Sequence, residues 1–597
     1  MPSSPALAHS GFGVIAAILL LALLASGATL IASTLLVWRY RRKVDRLMSM
    51  RAGALSARDA GVRTMGHPSD DTGKHAADPF LSVGCQGDRA GRLFRRMLED
   101  SRRHACKYAL AGSSFALVVA VGAFAAFSQI QVNYLAAASH PLQLVFLFWT
   151  FSWPVVLTIN IVAARSWRNR WRNVAVYFAV LAVLGALVAL TPTEAPFRAG
   201  EIVLPAWHGE SPLRLAMKWS TFNAFPTLLV LVFRHNRIRA IAPMVLSFMT
   251  VVCAGVLAVI AAAFLYQTAS LQVISAAIDS LGMSTVAATA GYLLLLCALA
   301  VTVSTVLGWL LLVWIRRRYQ RKKASDQSLA IDALWLIFVT FYTVVLSSAG
   351  PGWALVAMAA FLLFELVVWA GDRILRLKRV ADPATLLVLR VFALGRRSEA
   401  LFDILARRWR YVGHVNLIAA ADLALSTIAP HRFLAFISGR LDRVFIRDEA
   451  SLTHAVAGMD RECDADGRFR INDFFCHADT WQGALAVLIG RTDVVLMDLR
   501  GLSAGNVGCV YEIRQLVNTV PVERLVFVVD VSTDHPFLQQ TWGNACLDLP
   551  AGSPNSGRPD LAPRLFELDS PAPQAIDDLL LRMCVAAGTG PLGATTR

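Results

Sequence analysis

Long apolar segments separated by short basic stretches fill the first two thirds of the chain. The clearest segment, Gly282–Ile315, has no charged residue, and six of the next eight residues are basic. A helix needs about 20 apolar residues to cross the hydrocarbon core of a bilayer. The basic cluster is costly to translocate, so we expect it to stay in the cytoplasm. The pattern predicts an integral membrane protein, with the lipid bilayer as a partner.

The alternation of basic and non-basic gaps predicts nine spans, with the N-terminus outside and the C-terminus in the cytoplasm. The bacterial inner membrane is the expected location. Trp219–Phe233 is the weakest span because it is short and contains Pro226. The nine predicted spans are Gly11–Trp38, Tyr108–Ile130, Leu142–Ala164, Val174–Leu190, Trp219–Phe233, Ile241–Tyr266, Val286–Ile315, Ile331–Ser348 and Trp353–Ala370.

These spans divide the chain into four regions. Residues 1–38 form the first span, 39–107 a basic cytosolic loop, 108–371 an eight-span domain and 380–597 a cytosolic domain with a loose tail. The middle of the basic loop is predicted to be disordered. Its end, Arg89–Lys107, is predicted to be a basic amphipathic helix on the membrane face.

Composition and charge agree with a membrane protein. Apolar residues make up 56% of the chain and charged residues 16%, and the net charge is +16. Residues 380–597 hold 21 Arg, no Lys and 25 acidic residues, so the basic excess lies in the membrane half. Contact with anionic lipid headgroups explains it, and nucleic acid is not an expected partner. The nine cysteines form no CxxC pair, so neither disulfides nor a zinc site is supported.

The predicted spans contain little ionisable chemistry. Glu365 is the one ionisable residue predicted well inside a span, and Asn160 is one of few amides. Glu365 either forms a hydrogen bond between helices or has a function. A transporter, the third hypothesis for this chain, requires several polar groups that converge around Glu365 and Asn160.

After residue 380, short apolar strands such as Leu386–Phe392 and Val415–Ala419 alternate with amphipathic helices such as Trp481–Ile489. This alternation predicts a parallel sheet of the flavodoxin-like class. Ligands of such sheets sit at the carboxyl ends of the strands. The polar residues that follow predicted strands are therefore the candidate ligand-binding residues. The alternative is that Ser503 or Asn506 caps a helix while Arg500 forms a surface ion pair. The candidates are Arg396, Asp422, Asp498, Arg500, Ser503, Asn506 and Asp530.

Two segments carry a resemblance to a known family. Arg390–Trp409 resembles the opening strand, loop and helix of Toll/interleukin-1 receptor (TIR) domains, and Asp493–Leu516 is similar to their strand, loop and Cys-x-x-Glu helix. The resemblance implies that Glu512 is the counterpart of the glutamate with which enzymatic members cleave NAD. It also implies a non-catalytic alternative, an adaptor that self-associates into a homo-oligomer. Asp498 stands where a serine is common in the family.

Two other groupings have simpler explanations. Asp464, Asp466 and Gly467 imitate part of a calcium loop, but a turn between strands explains them better. Cys476 and His477 are adjacent, although a nucleophile pair is defined by geometry rather than adjacency. The chain has no Walker loop, GxGxxG, HExxH or GxSxG motif. We therefore predict a sensing or signalling protein that binds a nucleotide-like ligand or a protein partner, with no bound cofactor, no metal, and NAD as a substrate only if it is an enzyme.

Overall fold

The computed structural model is helical up to residue 375 and becomes an α/β structure from residue 383. It describes residues 27, 30–50, 79–130, 140–163, 167–190, 197–199, 202–204, 212–233, 241–265, 267–282, 284–347, 349–375, 383–391, 396–419, 430–558, 561–570 and 572–588. The chain divides into two compact units. We call them the helical unit (residues within 1–37 and 105–375) and the α/β unit (residues within 38–104 and 376–597).

The helices of the first 375 residues follow the apolar segments. They are α1 (30–49), α2 (Pro79–Ile130), α3 (His140–Phe151), α4 (Trp153–Val162), α5 (Trp167–Leu190), α6 (Pro212–Phe233), α7 (Ala242–Leu265), α8 (Gln267–Leu281), α9 (Thr285–Gln320), α10 (Asp326–Ser347) and α11 (Ala354–Leu375). Between α5 and α6, β1 (Phe197–Ala199) pairs with β2 (Ile202–Leu204) in an antiparallel hairpin.

Seven helices in the described part of the chain are long and apolar enough to cross a membrane. They match seven of the nine predicted spans, including the weak one, which extends back to Leu215. The predicted span Ile241–Tyr266 is also a helix, α7. The predicted span Gly11–Trp38 lies mostly outside the described residues. Aromatic side chains fill the core of the helical unit, where Phe115, Trp335, Tyr342 and Phe364 are completely buried.

The α/β unit contains a seven-stranded sheet in which every neighbouring pair of strands is parallel. Its strands are β3 (Leu386–Arg390), β4 (Val415–Ala419), β5 (Phe445–Ile446), β6 (Ile471–Cys476), β7 (Val494–Asp498), β8 (Leu525–Val529) and β9 (Leu565–Glu567). Its helices are α12 (Arg396–Trp409), α13 (Pro430–Ile437), α14 (Glu449–Ala457), α15 (Trp481–Ile489), α16 (Val507–Thr519), α17 (His535–Leu547) and α18 (Pro573–Gly588). Every residue of β7 and β8 is buried, as expected for strands covered on both faces.

The strand order differs from the flavodoxin-like order. Across the sheet it is β5-β6-β4-β3-β7-β8-β9, so three strands lie on the β4 side of β3 and three on the β7 side. A flavodoxin-like sheet, with the order 2-1-3-4-5, has one strand on the first side. The long segment between β4 and β7 supplies the two additional strands. The chain changes direction across the sheet between β3 and β7, and this is the switch point where ligands of such sheets bind.

Parts of the basic loop belong to the α/β unit. In α2, Ala90, Leu93 and Met97 are buried, and the ring of His104 lies 5.8 Å from that of Tyr411. The segment Arg89–Lys107 is helical, as predicted, but protein covers buried residues of its apolar stripe, and its place on a membrane face stays a prediction. Residues 38–50 of α1 also belong to this unit. The stretch predicted to be disordered lies outside the described residues.

Candidate functional site

Four charged residues meet where β3, β7 and β8 end, and we call them the charged edge: Arg390, Asp498, Arg500 and Asp530. Arg390 ends β3 and is the register partner of Asp498, which ends β7. Asp530 directly follows β8, the other neighbour of β7. All four side chains are buried. Parallel strands thus bring together residues that are up to 140 positions apart in the sequence.

Arg500 turns back onto Asp498 after the strand ends. Its Nε donates to Asp498 Oδ1 and its Nη2 to Asp498 Oδ2, both at 2.8 Å. Burial alone would lower the pKa of Arg500, but the hydrogen bonds and charge of Asp498, together with the charge of Asp530, raise it. The sequence alternative of a surface ion pair was therefore half correct. The pair exists, but it is buried, which makes it costly to break.

The loop after β8 is tied to the loop after β7. The backbone N–H of Ser532 donates to Asp530 Oδ1 at 2.9 Å, and the hydroxyl of Thr533 donates to the carbonyl of Leu499 at 3.1 Å. Asp534 then caps α17 by accepting from the N–H of Phe537. The carboxylate of Asp530 is therefore held in the charged edge by the turn that follows it.

Ser503 and Asn506 form the turn that leads into α16. The N–H and the hydroxyl of Ser503 both donate to Asn506 Oδ1, at 2.9 and 3.1 Å. Asn506 occupies the N-cap position, but its side chain does not bond to the helix N–H groups. Ser503 is exposed, so its hydroxyl lies where a ligand can reach it. The predicted capping bond is therefore absent, a role in the turn before α16 accounts for both residues, and ligand binding stays a prediction.

Two candidates cannot be placed at the charged edge. Arg396 begins α12, and its side chain lies outside the described residues. Asp422 also lies outside them.

Glu512 lies in the core instead of at the charged edge. It is 2% exposed, and its Oε2 has no hydrogen-bond partner within the described residues. Burial raises the pKa of this carboxyl to about 8, so that it is mostly protonated at neutral pH. Its neighbour Cys509 is also buried, and burial with the charge of Glu512 raises the pKa of that thiol to about 12. A substrate cannot reach Glu512 in this conformation.

The two minor candidates have structural roles. Asp464 accepts bonds from Arg470, and Gly467 adopts a φ of +74° in the turn that the sequence predicted at this place. His477 Nδ1 donates to the carbonyl of Leu47 at 2.5 Å. Burial raises the pKa of Cys476 to about 12, which keeps the thiol protonated at neutral pH. In the described part of the chain, no group of three or more His, Cys, Asp or Glu side chains could hold a metal ion.

The sequence analysis missed Arg390 as part of the site. It lies within the predicted strand Leu386–Phe392, and only the register against β7 shows that it lies beside Asp498. Comparisons with protein-family models, with curated proteins and with solved structures gave no match. The geometry of the charged edge is therefore the ground for a functional proposal.

Proposed function

We propose that this chain is a membrane protein of the sensing or signalling type whose α/β unit binds a nucleotide-like ligand at the charged edge. The observation that supports this most is the meeting of two arginines and two aspartates at the switch point of a parallel sheet. Guanidinium groups suit phosphates, and carboxylates suit ribose hydroxyls. The seven apolar helices support an anchoring or sensing role for the rest of the chain.

Ligand binding would use groups that already bond to one another. Arg500 holds both carboxylate oxygens of Asp498. A phosphate that takes over part of the Arg500 fork frees Asp498 to accept a hydrogen bond from a ligand hydroxyl. This exchange makes the loop at residues 499–503 the element that changes on binding, which is the property a signalling domain needs.

The experiment is a titration of the purified full-length chain, in detergent, with NAD and with ATP, followed by calorimetry. Arg500→Lys keeps the charge but loses the planar fork, so we expect at least about tenfold weaker binding. Arg514→Lys is the matched control, because Arg514 pairs with Asp548 on the surface. Equal affinities for the wild type and Arg500→Lys, with both proteins folded, would reject the site.

A second candidate is a membrane-tethered NAD-cleaving enzyme of the TIR type. The observation in its favour is a carboxyl at Glu512 that is buried, without a partner in the described structure, and shifted in pKa, since such groups concentrate at active sites. It requires a motion that exposes Glu512. Release of nicotinamide from NAD by the full-length chain, abolished in Glu512→Gln, would support it; no turnover would exclude it.

A further inference from the structure

The helical unit contains a group of charged side chains that the sequence analysis did not foresee. Glu365 was expected to be the one ionisable residue well inside a span. Helix α10 begins at Asp326, so Asp332 also lies almost two turns inside a helix that is long and apolar enough to cross a membrane. Four helices contribute to the group, and its members interact electrostatically: Lys107 of α2, Arg318 of α9, Asp332 of α10, and Glu365 and Asp372 of α11.

Lys107 and Asp372 form a pair of their own. Lys107 Nζ lies 2.5 Å from Asp372 Oδ1 and is buried. The aliphatic stem of Lys107 lies over Gly371, where an added Cβ would be 2.8 Å from Lys107 Cγ. A glycine at this position therefore lets α2 and α11 approach each other. The charges of these two residues balance, which leaves Asp332, Glu365 and Arg318.

Asp332 and Glu365 lie next to an aromatic contact between α10 and α11. The rings of Trp335 and Phe364 are both fully buried, with centroids 4.4 Å apart. Asp332 lies one turn before Trp335, and Glu365 follows Phe364 directly. Within the described residues, neither carboxyl makes a hydrogen bond or an ion pair within 4 Å. The two carboxyls interact with each other, most strongly among the cations with Arg318, and also with the Lys107–Asp372 pair.

A carboxylate inside an apolar bundle costs about 3 kcal/mol or more when it has no partner. The group has three acids and two cations, so one negative charge is in excess if every acid is ionised. The simplest way to remove it is a proton, as in other sites where two carboxyls face each other. We propose that Asp332 and Glu365 form a proton-binding site in the helical unit, one carboxyl holding the proton while the other balances Arg318.

The ligand of this site is a proton, and its binding does not involve the charged edge. Loss of the proton places a second negative charge at the contact between α10 and α11. Helix α7, which packs against α10, has no charged residue that could compensate. The packing of these helices therefore depends on proton concentration, which suits a sensor as well as a proton-coupled transporter.

The test uses dicyclohexylcarbodiimide on the full-length chain in lipid vesicles. The O–H of a carboxylic acid adds across one C=N bond of this apolar reagent, and the product rearranges to a stable N-acylurea. A carboxylate does not react. We expect the label on Glu365 or Asp332 at neutral pH, found by peptide mass spectrometry, and its loss in alkaline buffer. Asp372, paired with Lys107, is the internal control and should stay unlabelled.

The variant Asp332→Asn tests whether the proton is shared. It keeps the side-chain shape but removes the like charge, so labelling of Glu365 should fall off at a pH about one unit lower. Size-exclusion chromatography checks that the variant is folded. An unchanged labelling curve for Glu365 would overturn the proposal, as would the absence of label on both residues at every pH. Suppression of the label by sodium but not potassium would also overturn it, since a metal ion would then be the ligand.

Discussion

At the scale of single residues, the α/β unit contains two buried acids that are accommodated in opposite ways. Asp498 is held by two hydrogen bonds from Arg500. Glu512, 14 residues later, has an oxygen without a partner in the described structure and is kept neutral by its apolar surroundings. The first acid needs its arginine to stay buried. The second needs its proton.

Glu512 therefore makes the stability of the α/β unit depend on pH. Its pKa is raised from 4.5 to about 8 in the folded chain, so the folded state binds the proton more tightly than the unfolded state. Stability is then fully present below pH 4.5 and is lost as the pH rises toward about 8. We expect the stability advantage of Glu512→Gln to grow with pH by up to roughly 1.4 kcal/mol per unit across that interval.

The measurement is denaturant unfolding of both proteins across this pH range, followed by protease susceptibility of the α/β unit. A stability difference that does not change with pH would show that Glu512 is accessible to water in the folded chain.

Part of the site could be predicted from the residue types and their order in the sequence. Asp498 and Asp530 were predicted because polar residues after apolar strands collect at one edge. The burial of Glu512 could not be read from the sequence, because its position three residues after Cys509 fits an exposed helix acid as well. Asp332 was missed since the start of α10 is polar and the span seemed to begin later.

At the scale of elements, segments with a clear apolar pattern were predicted well, and segments without one were missed. The predicted strand Val415–Ala419 and helix Trp481–Ile489 match β4 and α15 at both ends. The two-residue β5, the three-residue β9 and helix α17 were not predicted. A strand of two or three residues is too short to show a period, and α17 mixes Gln, Thr, Gly and Asn among its apolar positions.

Helix α1 contributes a buried ring to the α/β unit. Tyr40 is 1% exposed and meets Phe436 edge to face at 5.2 Å, while its hydroxyl has no partner within the described residues. Burial raises the pKa of this phenol well above its usual value. We expect Tyr40→Ala to destabilise the unit by about 3–5 kcal/mol through the cavity it leaves. Tyr40→Phe is the matched control and should change stability by less than about 0.5 kcal/mol.

Pulse proteolysis in increasing urea can measure both variants. Equal losses in the two variants would mean that the hydroxyl, not the ring, holds α1 in place.

The entry to β4 depends on a glycine. A Cβ at Gly413 would lie 1.8 Å from the carbonyl oxygen of Ala384, a backbone atom just before β3. Gly413→Ala must therefore push β3 and β4 apart, and we expect a loss of more than about 2 kcal/mol. Gly508, near the start of α16, has nothing within 4 Å of such a Cβ. Gly508→Ala should be neutral or stabilise by up to about 1 kcal/mol.

Thermal unfolding of the two alanine variants compares these sites directly. A mild effect at Gly413 would indicate that the ends of β3 and β4 can separate at little cost.

At the scale of the whole molecule, the change at about residue 380 predicted two kinds of structure, and both are present. The apolar runs became helices and the alternating pattern became a parallel sheet. The order of the strands could not be predicted, because it depends on which side of β3 the chain returns to. The share of residues 38–104 in the α/β unit was also unpredicted, since basic composition does not show what covers an apolar stripe.

The membrane orientation can be tested by fusions to the full chain. The basic clusters predict that the C-terminus is cytoplasmic. A green fluorescent protein fused after Arg597 should fluoresce, and alkaline phosphatase fused there should be inactive. Phosphatase inserted near Trp207, in the predicted outer loop, should be active as the control. The opposite result at Arg597 would put the charged edge outside the cell and remove a cytosolic nucleotide as its ligand.

The carbonyl groups of Leu47 and Met50 accept bonds from His477 and from the N–H of Ala478. A fragment cut out at residue 380 would lose these acceptors, together with the ring that covers Phe436. Such a fragment would have newly exposed apolar surface and two unsatisfied hydrogen-bond donors, and would be prone to aggregate. Biochemical work on the soluble half should therefore carry residues 38–50 along, if necessary as a separate peptide supplied during refolding.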